Sequence, residues 1–264
     1  MISVKLMGGL GNMMFQISAI EALAKRQSQS VDVVFSSADH WAPVGNHANV
    51  ATYVDNFFSL INIIEEPIVG LGAYTEHGFE YNELPFIDNT VYNGHFQSEK
   101  YFSDCSDHIH TLFYPSVENE EYILGKYSNI NFSSATSLHV RRADYVKLSD
   151  IHPPCSLEYY ESALSSLGVL GGEVLVFSDD IEWCKSNIGS MDYDFNYIEN
   201  EFNYIDLYMM SFCKNNIIAN SSFSWWGAWL NENVDKSVIA PINWFGDKAG
   251  HNTSTLLPAS WAVL

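Results

Sequence analysis

The chain alternates short runs of β-forming residues with segments whose apolar positions recur every three to four residues. Residues 2–7 alternate and end in Gly8-Gly9-Leu10-Gly11-Asn12. Residues 13–27 then place Phe15, Ile17, Ile20, Leu23 and Ala24 on roughly one helical face. This opening predicts a strand, a glycine turn and a helix, and residues 31–35 predict a second strand. Residues 40–115 give a weaker pattern. They hold short apolar runs such as 57–64, a strand signal at 91–96, an irregular link or short helix at 98–105, and loop signals at 40–43 and 84–86.

From residue 135 the rhythm is clearer. Strands are predicted at 137–142, 173–177, 216–219 and 236–240, and helices at 156–167, 180–187, 204–213 and 224–231. Ser156 fits an N-cap, with Glu158 in the first turn where the helix dipole favours an anion. Strands alternating with helices argue for parallel α/β sheets. A break near 115–135 divides the pattern into two Rossmann-like halves facing a central cleft. We expect an N-terminal domain at residues 1–115, on the acceptor side, and a C-terminal donor-binding domain at 116–264, whose last helix packs back on the first.

Composition narrows the function. The 264 residues carry 12 Lys+Arg against 32 Asp+Glu, a formal charge of −20. Such a chain is a poor nonspecific nucleic-acid binder, because that affinity comes from cations neutralising phosphates. An anionic membrane surface would repel it. No apolar stretch approaches the ~20 residues of a transmembrane helix. The start of the chain lacks a signal-peptide layout, so a cytoplasmic protein is expected, with peripheral membrane contact left open. The four cysteines show no CxxC or zinc spacing and suit a reducing compartment.

Three predicted strand ends carry chemistry. In open α/β sheets, ligands bind beyond the carboxyl ends of the strands. The first end reads Ser137-Leu138-His139-Val140-Arg141-Arg142-Ala143-Asp144-Tyr145 and holds two of only three arginines in the chain. Guanidinium forks match phosphate oxygens, and Asp144 can fix one of them in place. The plainer alternative is a surface Arg–Asp pair. By strand parity Arg141 shares the side of His139, while Arg142 points away and can brace Asp144 or the neighbouring loop. The second end is Ser178-Asp179-Asp180, whose carboxylates suit a guanine edge, ribose hydroxyls or, for Asp180, a helix cap. The third is Asn220-Ser221-Ser222-Phe223-Ser224 before Trp225-Trp226-Gly227-Ala228-Trp229, where hydroxyls meet a helix N-terminus suited to anions. For Trp226 and Trp229, core packing is the plainer reading. Together these ends describe a nucleoside diphosphate site. No GxxxxGK[ST] loop is present.

These segments resemble the family 11 glycosyltransferases, the α-1,2-fucosyltransferases. The matching strings are GGLGNMMFQ at 8–16, HVRRADY at 139–145, VFSDDIEWCK at 176–185, DLYMMSFCKNNIIANSSFSWWGAWLN at 206–231 and PINWF at 241–245. The family pattern is departed from at Met13, where Gln is usual, and at Ala143, where Gly is common. The resemblance implies a GT-B-type fold and an inverting, metal-independent enzyme without cofactor. Fucose would pass from GDP-β-L-fucose to the 2-hydroxyl of a galactose in an oligosaccharide or glycolipid. It implies that Arg141 contacts the donor phosphates, that His139 and Asp179 lie near the nucleoside with Asp179 reading guanine, and that Ser221, Ser222 and Phe223 line the pyrophosphate. Arg142, Ser178, Asn220, Ser224, Gly9 and Gly11 complete the expected donor contacts. Asn12 would face the reacting sugar across the cleft. Asp144 and His139 are base candidates by type, and a donor phosphate oxygen is the alternative. Two other functions remain open: a transferase using another nucleotide sugar, and a noncatalytic nucleotide-sugar or glycan-binding protein. Trp41, Tyr74 and Phe96 are candidate rings for stacking on sugars, with core packing the plainer role for each.

Overall fold

The computed structural model describes residues 2–34, 53–54, 56–64, 71–168 and 172–264. Phe35, the loop at residues 40–43 and the candidate ring Trp41 lie outside them. The described residues form two units. One runs through Tyr114 and includes His251–Pro258. The other comprises Pro115–Gly250 and Ala259–Leu264.

The first unit is a five-stranded parallel sheet of β1 (Ile2–Lys5), β2 (Val31–Val34), β3 (Ile63–Ile64), β4 (Gly72–Thr75) and β5 (Thr90–Asn93), in the order β3-β2-β1-β5-β4. Helix α1 (Leu10–Arg26) begins three residues earlier than its apolar pattern predicts. Extended Gly9 is its N-cap, and the Gly9 carbonyl already accepts from the amides of Asn12 and Met13 at 3.0 and 3.1 Å. Gly11 and Asn12 are therefore helical. The helix is buried around nearly its whole circumference between Leu10 and Ala24, so the predicted single face understates it.

Helix α2 (Ser106–Phe113) was not legible as a separate element. It buries Ile109, Leu112 and Phe113, and Phe113 stacks on Phe57 with ring centroids 5.6 Å apart. The link before it consists of two 3₁₀ turns, Glu99–Tyr101 and Ser103–Cys105. Residues 251–258 form a turn where a final helix was expected. Asn252 accepts from the Ser254 amide through its side chain, and Pro258 denies a helix its donor. Thr255 ties this segment to the first unit by accepting from Tyr81 N at 2.7 Å and Ser98 Oγ at 2.5 Å.

The second unit opens with α3 (Val117–Lys126), inside the stretch expected to be a break. Only Ile123 is buried along it, which leaves no apolar stripe to recognise, although Ser116 caps it by accepting from Asn119 N. Six parallel strands follow: β6 (Thr136–Val140), β7 (Glu173–Ser178), β8 (Asp194–Tyr197), β9 (Asn215–Ile217), β10 (Val238–Ala240) and β11 (Ala262–Val263). Helices α4 (Leu157–Leu167), α5 (Ile181–Asn187), α6 (Asn203–Phe212) and α7 (Ser222–Trp229) connect them. Ser156 caps α4 as predicted.

The sheet order is β11-β10-β9-β6-β7-β8. Counted within the unit from its β8 edge, this is 3-2-1-4-5-6, the doubly wound Rossmann order. The order reverses between β6 and β9, and the crevice of such a sheet opens beyond their carboxyl ends. The core below is apolar, with Leu138, Val140, Tyr160, Leu164, Val174, Val176 and Ile188 all buried. A satisfied amide network crosses it. Asn216 Nδ2 donates to Ser137 Oγ and Met210 O, each at 2.8 Å, and Asn231 Nδ2 donates to Asn216 Oδ1 and Cys213 O. All four cysteines are free thiols. Among the described residues, no helix is long and apolar enough to cross a membrane.

Candidate functional site

Strand β6 stops at Val140, so both arginines lie in the loop beyond it rather than on the strand. The cause is Asp179 at the end of neighbouring β7. Its Oδ1 accepts from Arg142 N at 2.8 Å and Ala143 N at 3.3 Å and turns the chain out of the ladder. Arg141 Nη2 donates to Asp144 Oδ1 at 2.7 Å. Its Nη1 lies 2.9 Å from Asp179 Oδ2, an ion-pair contact without hydrogen-bond alignment. The same guanidinium sits 5.3 Å from the Tyr145 ring centre.

Strand parity does not extend to Arg142, because β6 ends before it, and Arg142 does not brace Asp144. It reaches Asp180 Oδ2 at 3.4 Å and lies 3.9 Å over the Trp183 ring. Asp180 is also the cap of α5, accepting from Trp183 N at 3.3 Å, so the plainer reading of this carboxylate holds. Ser178 Oγ accepts from Asp180 N at 2.9 Å. Two guanidiniums thus face three carboxylates, and the paired arginines are not a bare positive spot.

The third strand end meets the first, because β9 pairs with β6. Tyr145 donates its hydroxyl to Asn220 O at 3.2 Å. Asn220 itself is buried, and its Nδ2 donates to Pro153 O and Trp244 O at 2.9 and 3.0 Å, which makes it a brace for the loop. Helix α7 starts two residues before its predicted start. Ser221 is its cap, accepting from Phe223 N at 3.4 Å. Ser224 is fully buried and donates to Ser221 O. Ser222 and Phe223 keep partial exposure. Trp226 is fully buried and Trp229 nearly so, as the core reading predicts, and Trp225 is fully buried with them.

His139 links the two loops, its ring 5.5 Å from that of Phe223. Burial, aided by the charge of Arg141, lowers its pKa to about 3. Its Nδ1 is buried without a partner. The sign of the consequence follows. The unfolded chain binds this proton near pH 6.5, whereas the folded chain resists it until about pH 3, so stability declines as pH falls through that window. Urea unfolding at pH 7.5 and pH 5.5 should show a larger loss for the wild type than for His139→Asn. Equal losses would mean that the buried imidazole is not held neutral.

In the first unit, the glycine turn leaves β1. Gly8 has φ +77°, and a Cβ there would lie 2.4 Å from Asn12 Nδ2. Gly9 is exposed, and Gly11 is buried in the first turn of α1. Gln16 fixes the turn, accepting from Met7 N and donating to Met7 O. Asn12 Oδ1 accepts from Gln97 Nε2 at 2.7 Å. Gln97 follows β5, the strand beside β1, and was missed by the sequence reading; its signal was a polar residue just past a strand. The segment that carries it is strained, since Phe96 has φ +50°. Glu76, at the end of β4, holds it by accepting from His95 N at 2.6 Å, Phe96 N at 3.0 Å and Tyr101 OH at 3.2 Å. Phe96 is fully buried and so belongs to the core; Tyr74 is half-buried, its ring 5.3 Å from that of Tyr92.

Two Rossmann-like units of this kind make the GT-B class of glycosyltransferases. The family model of glycosyl transferase family 11 matches residues 1–262, and the chain belongs to that family. It is 32% identical to the O-antigen biosynthesis glycosyltransferase WbnK of Escherichia coli, over 98% of this chain and 99% of that protein. It is 29% identical to an α-1,2-colitosyltransferase of Escherichia coli, over 98% and 97%. A galactoside 2-α-L-fucosyltransferase of Caenorhabditis elegans is 30% identical over 64% of this chain and 51% of that protein. The solved structure of POFUT1 in complex with GDP-fucose shares the fold, with a TM-score of 0.54 at 13% identity, over 100% of this chain and 97% of that one.

Proposed function

We propose that this family 11 glycosyltransferase moves L-fucose from GDP-β-L-fucose to the 2-hydroxyl of a galactose in a glycan, with inversion and without a metal ion. The observation that carries this reading is the position of Arg141, at the carboxyl end of β6 where the strand order reverses. The Ser221-capped start of α7 follows β9, the neighbouring strand. As the bond between the sugar and GDP breaks, negative charge grows on the leaving diphosphate. A fixed guanidinium and the positive end of a helix stabilise that charge. The acceptor oxygen attacks the anomeric carbon from the opposite face and must lose its proton. Asp144, the more exposed of the two carboxylates on Arg141, is the candidate to take it. In the first unit, Asn12 and its partner Gln97 present amides at the carboxyl edge of the sheet. The Caenorhabditis elegans relative, a galactoside 2-α-L-fucosyltransferase, and the GDP-fucose bound to POFUT1 support the donor and linkage.

A second reading has a specific observation behind it: the α-1,2-colitosyltransferase relative, matched over nearly the whole chain, supports a colitose donor instead. An array of galactose-terminated acceptors offered GDP-fucose, nucleotide-linked colitose or a UDP-sugar in parallel, with linkage determined on the product, separates the readings. We expect GDP release and fucose on the 2-hydroxyl, undiminished by EDTA and competed by GDP rather than UDP. Transfer from a UDP-sugar, transfer of colitose alone, or a different linkage would each overturn the assignment.

A further inference from the structure

Asp179 stands where the sequence places a base-reading carboxylate, yet its oxygens are already engaged. Oδ1 accepts from the amides of Arg142 and Ala143, and Oδ2 is buried against Nη1 of Arg141. The side chain is only 8% exposed. Reading the N–H edge of guanine takes two acceptor oxygens with open faces, and this carboxylate presents none. Resting on the functional reading above, we propose that Asp179 is a positioning residue: it aims the Arg141 guanidinium at an incoming diphosphate and does not read the base. One carboxylate sets both the turn of the loop backbone and the side chain that leaves it. Asp144 differs. Its side chain is 26% exposed and it meets Arg141 through Nη2, so it is the partner that a phosphate can displace.

Asp179→Asn tests this, because the amide oxygen can still accept from the two backbone N–H groups while an NH₂ now opposes the guanidinium. The probes are GDP, inosine diphosphate, which lacks the 2-amino group, and inorganic pyrophosphate, each followed by calorimetry. We expect all three to weaken together by at least about tenfold, with the GDP to inosine diphosphate ratio unchanged. The Asp179→Asn/Arg141→Ala double variant should bind no worse than Arg141→Ala alone. Wild-type pyrophosphate affinity in Asp179→Asn, or loss of the guanine preference, overturns the proposal and leaves the transferase reading standing. A wild-type chain that binds neither GDP nor pyrophosphate overturns both. If Asp179→Asn does not fold, the wild type still decides: with only three arginines, its ¹⁵N-guanidinium spectrum should show slow Nη rotation for Arg141. Fast averaging there would refute the clamp.

Discussion

Arg141→Ala should abolish sugar transfer, with kcat/KM falling by roughly 10²–10³-fold or more, the usual effect of removing one preorganised donor from a developing oxyanion. The fold should survive. The buried carboxylate that loses its cation, Asp179, keeps two backbone N–H donors, and Asp144 is partly exposed to water. Circular dichroism and urea unfolding check that point alongside turnover. Arg141→Lys should recover only part of the activity, since an ammonium restores the charge but not the planar fork. Arg142 offers the internal contrast. It is spent on Asp180 and Trp183, so its loss should act more on α5 than on the donor. Full activity in Arg141→Ala would remove the phosphate assignment outright.

The second large effect concerns stability. Trp225 is fully buried, its ring 6.2 Å from Trp229 at a 10° angle, 5.1 Å from Trp226 and 5.4 Å from Trp261. Trp225→Ala should cost about 3–5 kcal/mol, the usual range for truncating a core aromatic. That is a large share of the roughly 5–15 kcal/mol that holds a domain together. Urea unfolding measures it, and a loss below about 1 kcal/mol would contradict the packed aromatic cluster. Because Trp225 lies on the helix that begins at Ser222, the same change should loosen the start of the helix that Ser221 caps. Apparent donor affinity should therefore fall with stability.

The second unit was largely legible because its strands are compact apolar runs and its helices carry caps. Ser156 and Asp180 mark helix starts at the right residues, and β7 differs from its prediction by one residue. What the pattern could not give was the end of β6. Alternation carries the eye through Arg142, but a side chain 37 residues further on takes the Arg142 amide out of the ladder. The partners of the arginines were hidden for the same reason, since contacts between neighbouring strand ends leave no trace in local spacing. The first unit was harder to read. Its strands β3 and β4 are short and half-exposed, and α3 of the second unit buries a single residue. The pairing of Gln97 with Asn12 spans 85 residues and depends on Phe96 adopting a backbone conformation that no propensity favours. Glu76 explains how that conformation is held, and it directly follows an edge strand that the sequence reading did not find.

The path of the chain through the two units has a consequence for dissection and for building hybrids. His251–Pro258 completes the first unit, and Ala259–Leu264 returns to supply β11, the edge strand of the second. Neither unit is one continuous piece of sequence. A single junction near residue 115 would leave the first unit without Thr255, and a stop after residue 250 would also strip the second of an edge strand. A chimera that exchanges one unit with a family relative therefore needs three splice points, near residues 115, 251 and 259.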